Sequence, residues 1–250
     1  MAKRQHTHAG ETPFADRPLA AERFFGEEGL SSTGLSAGYL IPVPFYLNLE
    51  AEVTAPPPAD QGGVFASTDQ HNALVYLGRV STFVDLTDAT NVNASATFAD
   101  GPASLAATGG TAAPGSRATA GAGELTVRWK NPTRAIYRSF TWQTEGYLVR
   151  YELAAAYGAP AAHQSVSGMF SYVDYQFARR THVGLRFDLA ERIQGGVHDT
   201  GELAFVTFTP SEFMLMSLQA RHVRTAEGTD EWNEFFKLTF NIGPHGAHPF

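Results

Sequence analysis

The sequence predicts an all-β fold, an antiparallel up-and-down transmembrane β-barrel, and three observations carry that prediction. From about residue 33 to 243, eleven short runs alternate apolar and polar residues. The joins between them go short, long, short, long, so one end of the meander has tight turns and the other large loops. Charges keep almost wholly to one phase of the alternation. Barrels of the outer membrane sort their connections in this way, with short periplasmic turns and long external loops, and must keep charge off the lipid phase.

Composition narrows the alternatives. The mean hydropathy is −0.18, and no run approaches 18 uncharged apolar residues, so the sequence predicts no helical membrane span. A net charge of −7 argues against a nucleic-acid partner, which selects basic patches. With no cysteine there is no disulfide framework, thiolate nucleophile or Cys-ligated zinc.

In chain order, Pro18–Phe25 is the one segment suited to a short helix. A first strand is expected at about Thr33–Ile41, then Pro42-Val43-Pro44 as a short join. The next run is the cleanest: Phe45, Leu47, Leu49, Ala51 and Val53 oppose Tyr46, Asn48, Glu50 and Glu52. Nine residues suit a tilted crossing of the hydrocarbon. Ala73–Asp85 is apolar in both phases, so its register stays open, as does that of 201–209. Val92, Ala94, Ala96 and Phe98 then oppose Asn91, Asn93, Ser95 and Thr97. Leu125, Val127 and Trp129 oppose Glu124, Thr126, Arg128 and Lys130. Phe140, Trp142 and Leu148 oppose Thr141, Gln143 and Glu145. Val183, Leu185, Phe187 and Leu189 oppose His182, Arg186 and Asp188. Met216, Leu218 and Ala220 oppose Ser217, Gln219 and Arg221. Finally Phe236, Leu238, Phe240 and Ile242 oppose Phe235, Lys237, Thr239 and Asn241. Further short joins are Leu86–Thr90, Asn131–Arg138, Ala178–Arg180 and Pro210–Glu212; 54–72, 99–117, 153–164, 190–201 and 224–231 read as the long ones.

Alternation alone describes a soluble sandwich equally well, with the apolar phase as its core. Loop asymmetry and aromatics favour the membrane. Phe45, Phe83, Trp129, Phe140, Tyr175, Phe177, Phe208 and Phe213 all fall at short-turn ends, as a membrane interface selects. On this reading the lipid-facing set is Phe45, Leu47, Leu49, Trp129, Phe140, Trp142, Leu185, Phe187, Leu218, Phe236, Leu238, Phe240 and Ile242. The lumen-lining set is Glu50, Glu52, Arg79, Asp85, Glu124, Arg128, Lys130, Glu145, Asp174, Arg186, Asp188, Arg221 and Lys237. Arg150 stands as an exception in the apolar phase, near a long-loop end where it can snorkel. Seven acids against six bases imply no strong selectivity by sign, and such charges either line water or form cross-strand ion pairs.

Eleven is an odd number, whereas bacterial single-chain barrels have even numbers. The expectation is a truncated chain, the C-terminal part of a larger barrel, with an odd number of strands and a signal peptide upstream. Residues 1–32 then form a leader or a segment folded into the lumen. Glu11–Gly29, with PFADRPL and RFFGEEGL, is apolar enough to narrow it. Residues 33–243 supply the strands and 244–250 a tail.

Of the nine histidines, His6 and His8 (QHTH) and His245 and His248 (HGAH) form two short-spaced pairs. His245 and His248 are weak metal candidates, because a site needs three or four converging ligands. No cofactor is expected. No GxSxG, HExxH, Walker A or GxGxxG between strand and helix is present, so no catalytic residues and no enzyme are expected.

Particular strings carry a resemblance. QHTHAGETPFADRPLAAERFFGEEGLSSTG, FYLNLEAEV, RAIYRSFTWQTEGYL, VDYQFARRTHVGLRFD, TPSEFMLMSLQARH and NEFFKLTFNIGPHGAHPF resemble bacterial outer-membrane proteins labelled zinc-regulated TonB-dependent receptors, alongside porin-like barrels of the phosphate-selective type. The resemblance implies a Gram-negative outer-membrane location and passage of a small solute. Partners would be outer-membrane lipid, the barrel-assembly machinery, for which the aromatic Phe250 is a suitable terminus, and the solute. TonB would join them if a plug lies upstream; no plug or TonB box lies in these residues. The expected function is a porin-like channel for small hydrophilic or ionic solutes. The alternatives are the barrel of a TonB-dependent receptor for a metal or metal chelate, and a non-transporting surface-binding barrel.

Overall fold

The pleat of a β-sheet puts successive side chains on opposite faces, so a strictly alternating chain settles into whichever pairing keeps each phase on its own face. The computed structural model shows the result, and describes residues 13–26, 29–30, 32–58, 63–66, 73–104, 115–154, 161–192, 196–211 and 213–240. A short helix α1 (Leu19–Phe25) precedes β1 (Gly34–Leu40), β2 (Tyr46–Thr54), β3 (Val75–Thr87), β4 (Thr90–Pro102), β5 (Arg117–Lys130) and β6 (Ser139–Leu153). Then come β7 (Ala162–Ala178), β8 (Thr181–Glu191), β9 (His198–Ser211), β10 (Met214–Arg224) and β11 (Asp230–Phe240).

The strands form one 11-stranded antiparallel sheet in chain order, the predicted up-and-down meander. It does not close on itself. β1 and β11 each keep an edge without a strand partner among the described residues. No described helix is long and apolar enough to cross a membrane, which leaves a crossing by strands untouched.

Register fixes two faces. One row runs Trp129–Phe140–Tyr175–Val183–Val206–Leu218–Phe236 from β5 to β11. Its residues lie on a bare face, where Leu148 is 69%, Leu218 64% and Leu185 59% exposed. The other face carries the row Thr126–Gln143–Tyr172–Arg186–Leu203–Arg221 and is covered in part by α1.

The two registers left open are settled by pairing. Val75, Leu77 and Arg79 of β3 are buried on the helix-bearing face, and Tyr76 and Val80 are exposed on the bare one. In β9, Leu203, Phe205 and Thr207 are buried beneath the covered face, whereas Glu202, Ala204, Val206 and Phe208 point the other way. Two expectations need correction. Phe83 pairs with Tyr46 and Asn93, so it leaves the aromatic rim and sits on the helix-bearing face. Alternation could not place it, because β3 is apolar in both phases.

The loop asymmetry is also less clean than expected. Strands extend into stretches that read as loops, so the connections 154–161, 192–197 and 225–229 are no longer than the supposedly tight 131–138. Two connections, 55–74 and 103–116, remain long. Their described residues are tied to α1 and to each other: Val64 N donates to Phe24 O at 2.7 Å, Ser104 N to Val64 O at 2.8 Å, and Phe65 bridges Ala103.

α1 has only seven residues and no side-chain cap, too little for a helix to stand alone in water. Packing holds it. Phe24 is fully buried and lies edge-on to Tyr147 at 6.2 Å, in a core with Phe14, Phe65, Val149, Phe170 and Phe205. Gly168 makes the close approach possible. A Cβ there would lie 2.7 Å from the Ala20 Cβ and 2.9 Å from the Phe24 ring.

Candidate functional site

Part of the polar phase of β7–β11 is gathered around residues 13–25 rather than left to solvent. Arg186, fully buried, projects from β8 between two carboxylates. Its Nε donates to Asp188 Oδ2 at 2.8 Å, while Nη1 and Nη2 donate to the two oxygens of Asp16 at 3.1 and 2.9 Å. Arg221 Nη1 reaches Asp16 Oδ2 at 2.6 Å from β10, on the far side of Leu203 in the same row. The Arg186 guanidinium also lies 4.6 Å from the centre of the Phe14 ring, a cation–π geometry. Such a two-pronged arginine–carboxylate pair is the geometry that fixes both distance and orientation.

Main-chain bonds complete the clasp. Gln219 accepts from Ala15 N at 2.9 Å and donates to Pro13 O at 2.7 Å, and Lys237 Nζ donates to Phe14 O at 3.0 Å. Farther along, Arg23 donates to Ala190 O at 3.1 Å and pairs with Asp199. Arg192 also binds Asp199, at 3.0 Å, and pairs with Glu227. In its connection, Glu227 has a carboxyl held below the usual range by its own backbone N–H and by Arg192.

A second cluster lies on β3–β7. Tyr172 Oη donates to Gln143 Oε1 at 3.0 Å, and Gln143 Nε2 donates to Glu124 Oε1 at 3.0 Å. Arg79 Nη2 donates to Ser95 Oγ at 3.0 Å and to Glu124 Oε2 at 3.5 Å. Arg79 Nε and Nη1 have no hydrogen-bond partner among the described residues. The clusters meet at Tyr172, whose ring stands edge-on to Phe14 at 4.9 Å.

Register places every sequence-predicted polar candidate on the helix-bearing face, but brings only some together. Arg186, Asp188, Arg221 and Lys237 join the clasp. Arg79 and Glu124 join the second cluster, and Glu145 is buried directly opposite Glu124. Asp174 pairs with His182 at 3.0 Å near the short-connection end. Glu50, Glu52, Asp85, Arg128 and Lys130 remain outside both clusters. Among the apolar candidates, Leu47, Leu49, Trp129, Phe140, Trp142, Leu185, Phe187, Leu218, Phe236, Leu238 and Phe240 share the bare face. Phe45 is exposed just before β2. Ile242, His6, His8, His245 and His248 lie outside the described residues, among which no group of three or more metal-ligating side chains occurs.

Arg150 has more company on the bare face than the alternation suggests. Register also puts Asp100, Arg117, Glu152, Glu191, Glu202, Arg224, Asp230 and Glu234 there, all toward the long-connection ends. They form a charged rim, and the face below it stays uncharged. The partners that sequence reasoning missed include Asp16, Arg23, Ser95, Gln143, Tyr172, Arg192, Asp199, Gln219 and Glu227. Asp16 alone carried a signal, as a lone acid beside Phe14 in an apolar, proline-bounded segment.

No family model matches the chain, and no solved structure matches it. An uncharacterized protein of Aquifex aeolicus (strain VF5) is 27% identical over 274 residues, covering 98% of this chain and 56% of that protein. The chain thus spans little more than half the length of the curated relative it matches.

Proposed function

We propose that these strands are part of the wall of a larger bacterial outer-membrane barrel. Its helix-bearing face is turned to a lumen that passes small hydrophilic or ionic solutes. The observation that carries this reading is the bare face. On β6 its residues from Phe140 to Leu148 are uncharged over about 26 Å of strand at roughly 3.3 Å per residue, which a barrel's tilt of about 40° turns into roughly 20 Å of height, near the apolar band of about 25 Å. Aromatics edge that band at the short connections and charges edge it at the other end. A contiguous apolar face of this extent calls for lipid or a protein partner. The two open sheet edges and the longer relative support further strands. Residues 13–25 then narrow the lumen on one side, in keeping with the resemblance to porin-like barrels and receptors labelled TonB-dependent.

The sealed core beneath α1 favours a second reading, a surface-binding barrel that does not conduct. Planar-bilayer recording on the full-length protein separates the two. Discrete conductance steps are expected of the channel; a folded, inserted protein that carries no current leaves the binding barrel.

The membrane orientation has its own test. Leu185→Arg puts a charge in the middle of the uncharged stretch of β8 on the bare face and is expected to cost about 2–4 kcal/mol of stability in lipid, as arginines near the bilayer midplane do. Ser139→Arg, on the opposite face near the short connections, should cost far less. Equal stabilities of the two variants in vesicles would remove lipid from the bare face.

A further inference from the structure

Two arginines converging on one carboxylate is more than a fold needs to hold a strap. Gln219, Lys237 and the Phe24 contacts already hold residues 13–25, and ion pairs in a dry interior are close to break-even against apolar packing. We propose that Arg186 and Arg221 form a binding site for a small oxyanion, a carboxylate or a phosphate, which Asp16 occupies as a tethered stand-in for solute.

The geometry is that of a receptor site. Arg186 is buried completely, and its Nε is held by Asp188, which leaves Nη1 and Nη2 directed at Asp16. The prongs meet the two Asp16 oxygens at 3.1 and 2.9 Å, the fork that suits carboxylate and phosphate alike. Arg221 closes from a second side at 2.6 Å and is still partly open to solvent, with 15% of its side chain exposed, so an entering anion has an approach. With Asp16 withdrawn, two guanidinium groups face one carboxylate, Asp188. That local excess of positive charge attracts an anion. Asp16 sits on the covering segment and every other member on the wall, so solute and segment compete for one place.

This inference depends on the channel reading only for how a solute arrives. Its test uses no conductance, so the two can fail separately. Asp16→Ala in the full-length protein, folded in detergent micelles, is titrated with sodium phosphate, sodium acetate and sodium chloride at matched ionic strength, following the unfolding midpoint. The variant should unfold earlier than the parent. Phosphate or acetate should then raise its midpoint by at least about 3 °C with saturation, while chloride does not. Adding Arg221→Gln should abolish the rise, and the anion that saturates at lower concentration identifies the solute class. Equal responses to all three salts, or a rise that survives Arg221→Gln, overturns the site. Should Asp16→Ala not fold, Asp16→Ser is titrated in the same way, with the same outcomes deciding.

Discussion

Arg186→Gln is expected to be among the most damaging single substitutions in the sheet. It leaves Asp16 and Asp188, one nearly and one fully buried, with Arg221 as the remaining arginine of the cluster. Breaking a buried charge cluster by removing one member costs about 3–5 kcal/mol, because the surviving charges stay buried without compensation. The urea midpoint of the micelle-folded protein reads this loss, and amide exchange over residues 13–25 should rise in step. Arg128→Gln serves as the control. Arg128 shares the face but makes no ion pair among the described residues, so its loss should stay within roughly 0.5 kcal/mol. Equal effects of the two substitutions would mean that the clasp contributes nothing.

Gly184→Ala should also destabilise strongly, against the usual trend. A glycine inside a strand normally weakens it by about 0.5–1 kcal/mol relative to alanine. Here the added Cβ would lie 2.2 Å from Phe205 Cζ and 2.4 Å from the backbone oxygen of Val173. The ring has little room to yield, since Phe205 is 2% exposed and stands edge-on to Phe14 at 5.6 Å. Overpacking of that kind costs about 1–3 kcal/mol. Gly146→Ala offers the contrast, because a Cβ there meets no heavy atom within 4 Å. It should be neutral or mildly stabilising. If both substitutions shift the unfolding midpoint in the same direction, Phe205 does not pack over Gly184 as described.

These two substitutions also mark where the sequence is legible. The phase of β2, β5, β6, β8, β10 and β11 followed from alternation, because a one-residue slip would move a whole apolar set to the wrong face. The chain order of the sheet followed from short joins, which allow only neighbouring antiparallel strands. Strand ends were poorer, as β7 and β9 continue into polar residues that read as loop. For β3 and β9 the phase was undetermined. Val75, Leu77, Leu203 and Phe205 belong to the core under α1, so an apolar residue on the polar face there is a packing residue.

The Asp16 clasp lies beyond any periodic signal. Its acid and its arginines are about 170 and 205 residues apart, and no local rule couples them. Alternation by itself determined that the chain makes a meander with one apolar and one polar face, since the pleat has a period of two whatever lies above it. Only the tertiary structure decided that part of the polar face is covered and that the charges beneath the cover converge on Asp16. The physical reason is that burial, charge pairing and close approach depend on which element packs over a face, and the first of the sheet's covering residues is fixed there by partners from the far end of the chain.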